Sequence, residues 1–73
     1  MKIEFIQKDQ LHQDEMTIYW FDVDSEVYGL VDHAGDLSLV DSENYPIDPC
    51  NDHDGIKDAL IPHYLVAIIG END

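Results

Sequence analysis

The stretch MTIYWFDVDSEVYGLVDHAGDLSLVD, residues 16–41, holds three short apolar and β-branched runs separated by two polar or small dipeptides. Met16 to Val23 is the strongest strand in the chain, because it concentrates the residue types that pack best on a pleated surface. Asp24-Ser25 and Ala34-Gly35 have the length and chemistry of two-residue hairpin turns, leading into strands at Glu26 to Asp32 and Leu37 to Asp41. With those turns the register follows: Tyr19 faces Leu30, Leu30 faces Leu39, and Phe21 pairs with Tyr28. One face of the meander then carries Tyr19, Phe21, Val23, Tyr28, Leu30, Leu37 and Leu39. The other carries Met16, Ile18, Trp20, Val27, Val31 and Val40, with Gly29 leaving a gap that a large side chain can fill.

Working outward, Lys2 to Gln7 alternates with Ile3 and Phe5 on one side and reads as an opening strand. Lys8 to Glu15 is polar and reads as a loop. Asp41 to Asp54, with Pro46 and Pro49, shows no periodicity and reads as a long connection. Asp52 or Asp54 is placed to cap a short helix whose buried stripe is Ile56, Ala59 and Leu60. Pro62 is expected to end or kink that helix near Ile61. Tyr64 to Ile69 is then read as a final buried strand in preference to a helix resuming past a kink at Pro62, with Gly70 to Asp73 a frayed acidic tail. The fold class expected is α+β: a small antiparallel β-meander of about four to five strands with one short helix in the C-terminal half. Both faces of such a sheet are apolar, so one helix is too little cover. Either the Asp41 to Asp54 loop folds over the second face, or Met16, Ile18 and Trp20 form a self-association or partner surface there.

Composition sets the class of surface. The chain has 73 residues and a formal net charge of -14, from 17 acidic residues against Lys2, Lys8 and Lys57. A chain this short supports one core, so residues 1–73 are read as a single acidic domain, and 44% hydrophobic residues is too many for a disordered acidic tail. The lone Cys50 rules out an internal disulfide and suits a reducing cytoplasmic compartment. No signal core or membrane-spanning run is visible. Direct nucleic-acid binding is not expected, because that affinity comes from many Lys and Arg contacts with phosphate, and an anionic membrane is repelled for the same reason.

Candidate chemistry is sparse. Calcium needs six to eight oxygens with a glycine at the sixth loop position and a glutamate at the twelfth. Neither Asp22 to Glu26 nor Asp48 to Gly55 meets that pattern. Cys50 and His53 have the spacing of half a zinc site, for which His12, His33 and His63 are scattered candidates, yet no second close pair completes it. Ser25, Ser38 and Ser42 lack the glycine-flanked setting of a nucleophile elbow, and there is no phosphate-cradling glycine loop. The chain is therefore read as non-enzymatic, with no cofactor.

What remains is the field. A folded chain of this mass exposes on the order of 4,600 Å², or about 330 Å² per net negative charge. Duplex DNA carries one charge per roughly 110 Å². Gathering the carboxylates on half the surface would reach about two thirds of DNA's density, enough to compete for a basic groove. In overall composition the chain resembles phage-encoded inhibitors of host defence, such as anti-CRISPR and anti-restriction proteins, and immunity proteins that block nucleases. That resemblance implies a DNA-mimic inhibitor docked on the basic nucleic-acid-binding surface of a partner protein, and it assigns no residue. The candidate contacts are Asp22, Asp24 and Glu26 at the first hairpin tip, Asp32 and Asp36 at the second, and Asp41, Glu43, Tyr45, Asp48, Asp52 and Asp54 in the long connection. Two alternatives are a dimeric scaffold or adaptor using Met16, Ile18 and Trp20, and a weak calcium- or zinc-binding module.

Overall fold

In the computed structural model, which describes residues 1–11 and 16–71, four antiparallel strands form one sheet in the order β1-β2-β3-β4, followed by a C-terminal helix. The strands are β1 (Ile3–Leu11), β2 (Met16–Val23), β3 (Glu26–His33) and β4 (Asp36–Asp41), and α1 is Ile56–Glu71. The fold is the expected α+β meander.

The central register is the one set by the two turns: Tyr19 pairs with Leu30, Phe21 with Tyr28, and Leu30 with Leu39. Asp24 (φ 51°) and Ser25 (φ 74°) both lie in the left-handed region, as do Ala34 (φ 52°) and Gly35 (φ 92°). Two consecutive left-handed residues give the turn whose twist matches the flanking strands.

β1 corrects the polar-loop reading of Lys8 to Glu15. The strand continues through Lys8, Asp9 and Gln10 to Leu11, which pair with Tyr19, Ile18, Thr17 and Met16. Pairing with a strong neighbour overrides their weak strand propensity. The register jumps between Phe5 and Gln7, with Ile6 the extra residue of a bulge. The rest of that loop, residues 12–15, lies outside the described residues.

The C-terminal segment also differs from expectation. Tyr64 to Ile69 is helical, not a strand, and α1 runs for 16 residues with Pro62 inside it. Pro62 leaves the carbonyl of Asp58 without its helical donor. The helix persists because Ile56, Leu60 and Tyr64 are buried against the sheet, with Ala67 and Ile68 packed behind them. This tertiary burial outweighs both the proline and the β-branched run. Gly70 and Glu71 belong to the helix, whereas Asn72 and Asp73 lie outside the described residues. Asp52, not Asp54, provides the cap: its two carboxylate oxygens accept from the backbone N–H groups of Ile56 (2.7 Å) and Lys57 (3.0 Å).

The main core lies between the sheet and α1 and contains Tyr19, Phe21, Val23, Leu30, Leu39, Ile56, Leu60 and Tyr64. The rings of Tyr19 and Tyr64 meet edge-on at 5.0 Å. The opposite face closes largely by itself: Ile18, Val31 and Val40 are buried, with Met16 and Trp20 packed against them. Trp20 lies over Gly29, where an added methyl would sit 2.9 Å from its ring and 2.7 Å from Val40. Its indole N–H donates to Asp9 Oδ2 at 2.8 Å. The long connection does not fold over this face. Its residues 45–47 run along the outer edge of β4, with Asp41 N–H donating to the Tyr45 carbonyl and Ile47 N–H to that of Leu39. Ile47 then turns into the main core.

Candidate partner-binding surface

Of the candidate acidic contacts, Asp24 and Glu26 lie at one end of β3 and Asp32 and Asp36 at the other. At the end formed by the β2–β3 turn, Lys2 and Asp24 exchange two hydrogen bonds, one between backbones (2.9 Å) and one from Lys2 N to Asp24 Oδ1 (2.7 Å). This holds the start of β1 against the hairpin tip. Glu4 and Asp22 stand directly opposite each other, on the same face, and a hollow of about 350 Å³ is lined by Lys2, Glu4, Asp22, Asp24 and Ser25. Lys2 Nζ lies 3.5 Å from Glu4 Oε1, but both side chains are largely exposed, so the pair contributes little. Asp22 is half-buried, and its Oδ1 is shielded from solvent with no hydrogen-bond partner among the described residues. Like charges directly opposite across two strands are unfavourable, and so is an orphaned carboxylate oxygen.

Tyr28 joins this tip to the long connection. Its hydroxyl donates to Glu26 Oε2 at 2.9 Å. That hydrogen bond, then burial, then the charges of Glu26, Asp54 and Asp52 push its pKa above the usual tyrosine value. The phenol thus registers a shared negative field from residues 26, 52 and 54. Asp41 pairs with Tyr28 across the strands, and its Oδ1 accepts from the N–H groups of Glu43 (2.9 Å) and Tyr45 (3.0 Å). The turn so formed carries Glu43 and an exposed Tyr45 outward.

The sequence-predicted contacts therefore divide by role. Asp24, Glu26, Glu43, Tyr45 and Asp54 are exposed at this end, with Asp22 half-buried beside them. Asp41 and Asp52 are there too but organise backbone, and Asp48 accepts from Cys50 N–H at the start of a 3-10 helix, Pro49–Asn51. Asp32 and Asp36 are at the far turn. Asp32 accepts from Gly35 N–H and from the Tyr64 hydroxyl, which gives it a structural role, and Asp36 is exposed. Of the self-association candidates, Ile18 is buried within the chain, and Met16 and Trp20 are half-buried. Sequence reasoning did not single out Glu4 or Tyr28, whose roles depend on which elements the fold brings alongside them.

A hollow of about 690 Å³ lies between β4, the long connection and the start of α1, and its wall includes Leu39, Pro46, Ile47, Asp48 and Lys57. Asp48 and Asp52 on that wall are already engaged in capping. Cys50 is exposed. Among the described residues no three of His, Cys, Asp and Glu are grouped so as to hold a metal ion; His12 lies outside them. No helix among the described residues is long and apolar enough to cross a membrane. Comparison of the chain with protein families, with curated proteins and with solved structures finds no match.

Proposed function

We propose that the protein is a non-enzymatic acidic inhibitor that occupies the basic nucleic-acid-binding surface of a partner protein, in the manner of an anti-CRISPR, anti-restriction or nuclease-immunity protein acting in the cytoplasm. The supporting observation is the gathering of Glu4, Asp22, Asp24, Glu26, Asp52 and Asp54 around one end of the sheet, with Tyr28 feeling three of them at once. The whole molecule exposes 5026 Å² for 14 net charges, about 360 Å² per charge, so its average density is far below that of DNA. Clustering at one end raises the local density. Asp22 and Glu4 offer a lysine or arginine a paired acceptor, and Tyr45, exposed beyond the opposite edge strand β4, is free to supply a separate apolar contact.

The test uses a partner isolated from the natural source and then purified. Binding should weaken steeply with salt, compete with the partner's nucleic acid, and fall when Asp22, Asp24 and Glu26 are changed to lysine by more per charge than when Glu71 and Asp73 are. A partner that holds this protein and its nucleic acid together would overturn the proposal.

A further inference from the structure

The solvent side of α1 is apolar. Leu65 is 49% exposed, Val66 71% and Ile69 63%, and with exposed Pro62 they form a stripe at the i, i+3, i+4, i+7 spacing of one helix face. The helix thus buries one apolar stripe and shows a second to solvent. From Ala59 to Gly70 there is no Asp, Glu, Lys or Arg, the longest such run in the chain. At the edge of the sheet beside α1, Phe5 is 48% exposed, its ring leaning on Phe21 at 5.5 Å.

We propose that this stripe is where two copies of the chain pair, helix against helix. The occupant follows from charge. At -14 the molecule repels its own copies, and the Pro62 to Ile69 stripe, which carries no carboxylate, lets two copies approach without setting carboxylates against carboxylates. A basic partner finds no carboxylate here to pair with. Identical apolar stripes are self-complementary across a two-fold axis, and ridges three and four residues apart interlock. The stripe spans only about 10 Å of helix axis, so the area two copies bury there is small against the ~800 Å² per partner of a standard interface, and the dimer is weak. Tyr64, in the middle of the stripe's helical turns, bonds to Asp32 at the end of β3 opposite the acidic tip. A pair joined here keeps both acidic ends free.

Sedimentation of the purified full chain over a concentration series, at about 50 mM and about 500 mM sodium chloride, tests the pairing. The expected result is a monomer–dimer equilibrium that tightens several-fold in high salt, because salt screens the repulsion while leaving apolar contact in place. This is the opposite sign to binding of a basic partner, so the two proposals fail separately. Ile69→Glu and Val66→Lys should each weaken dimerisation at least tenfold with unchanged circular dichroism, and Val27→Glu, on the other face, less than twofold. A chain that stays monomeric at millimolar concentration in both salts overturns the proposal, as does a dimer loosened by salt or indifferent to both helix substitutions.

Discussion

The hydroxyl of Tyr64 donates a 2.6 Å hydrogen bond to Asp32 Oδ2, joining the middle of α1 to the end of β3 across 32 positions of sequence. The other oxygen of Asp32 accepts from Gly35 N–H, so a single carboxylate ties the helix to the β3–β4 turn. Tyr64 is buried and its ring also packs on Tyr19, which places the bond at the margin of the main core.

Tyr64→Phe keeps the ring and removes the bond. Hydrogen bonds to charged groups contribute about 1.5–3 kcal/mol, and solvent access at half-buried Asp32 puts the expected loss near the bottom of that range. Urea unfolding should show a lowered midpoint with an unchanged slope. An unchanged midpoint would mean that the bond contributes nothing in solution.

Gly29 is closed in by Trp20 and Val40, and a methyl there meets both below 3.0 Å. Gly29→Ala should therefore cost about 1–3 kcal/mol through overpacking and shift the tryptophan fluorescence. Trp20→Ala should cost about 3 kcal/mol by opening the same small cluster, and should leave the sedimentation behaviour of the folded protein as it was. A Trp20 variant that stayed fully stable but lost self-association would return the dimer interface to that face.

Ser25 adopts φ 74° at a turn position that glycine fills without strain. Ser25→Gly is expected to stabilise the protein by about 0.5–1 kcal/mol, the relief of the left-handed backbone exceeding the added freedom of the unfolded chain. Thermal melting measures it. A decrease in melting temperature would show that the serine side chain contributes more to the turn than its strain removes.

The raised pKa of Tyr28, caused first by its hydrogen bond to Glu26, has a defined consequence for pH. The unfolded chain loses this proton near pH 10, the folded one only above that. Stability from this group is therefore complete below about pH 10 and is lost as pH rises from there through the raised folded value. Absorbance titration compared between the protein and its Glu26→Gln variant should show Tyr28 ionising earlier in the variant. Identical titration curves for the two proteins would remove Glu26 as the cause.

Local pattern was enough for the middle of the molecule. Alternation with period two and two dipeptides suited to tight turns determine which side chains of residues 16–41 share a face, because slipping by one residue would reverse every one of them. The same local logic narrows the helix cap to Asp52 or Asp54, and the hydrogen bonds of the folded chain choose Asp52. The remaining features depend on neighbours distant in sequence. Lys8, Asp9 and Gln10 are strand only because β2 offers them partners, and Tyr64 to Ile69 are helix only because Leu60, Tyr64 and Ala67 find the apolar sheet beneath them. Propensity differs by about 1 kcal/mol or less per residue, which tertiary burial of several apolar side chains exceeds. The division of the acids was likewise a tertiary outcome: residues 26, 52 and 54 share a field because the long connection returns beside Tyr28, and Asp32 is withdrawn into structure because α1 delivers Tyr64 to it. Sequence alone set the charge; the fold decided where that charge is concentrated and turned an uncharged face of α1 to solvent.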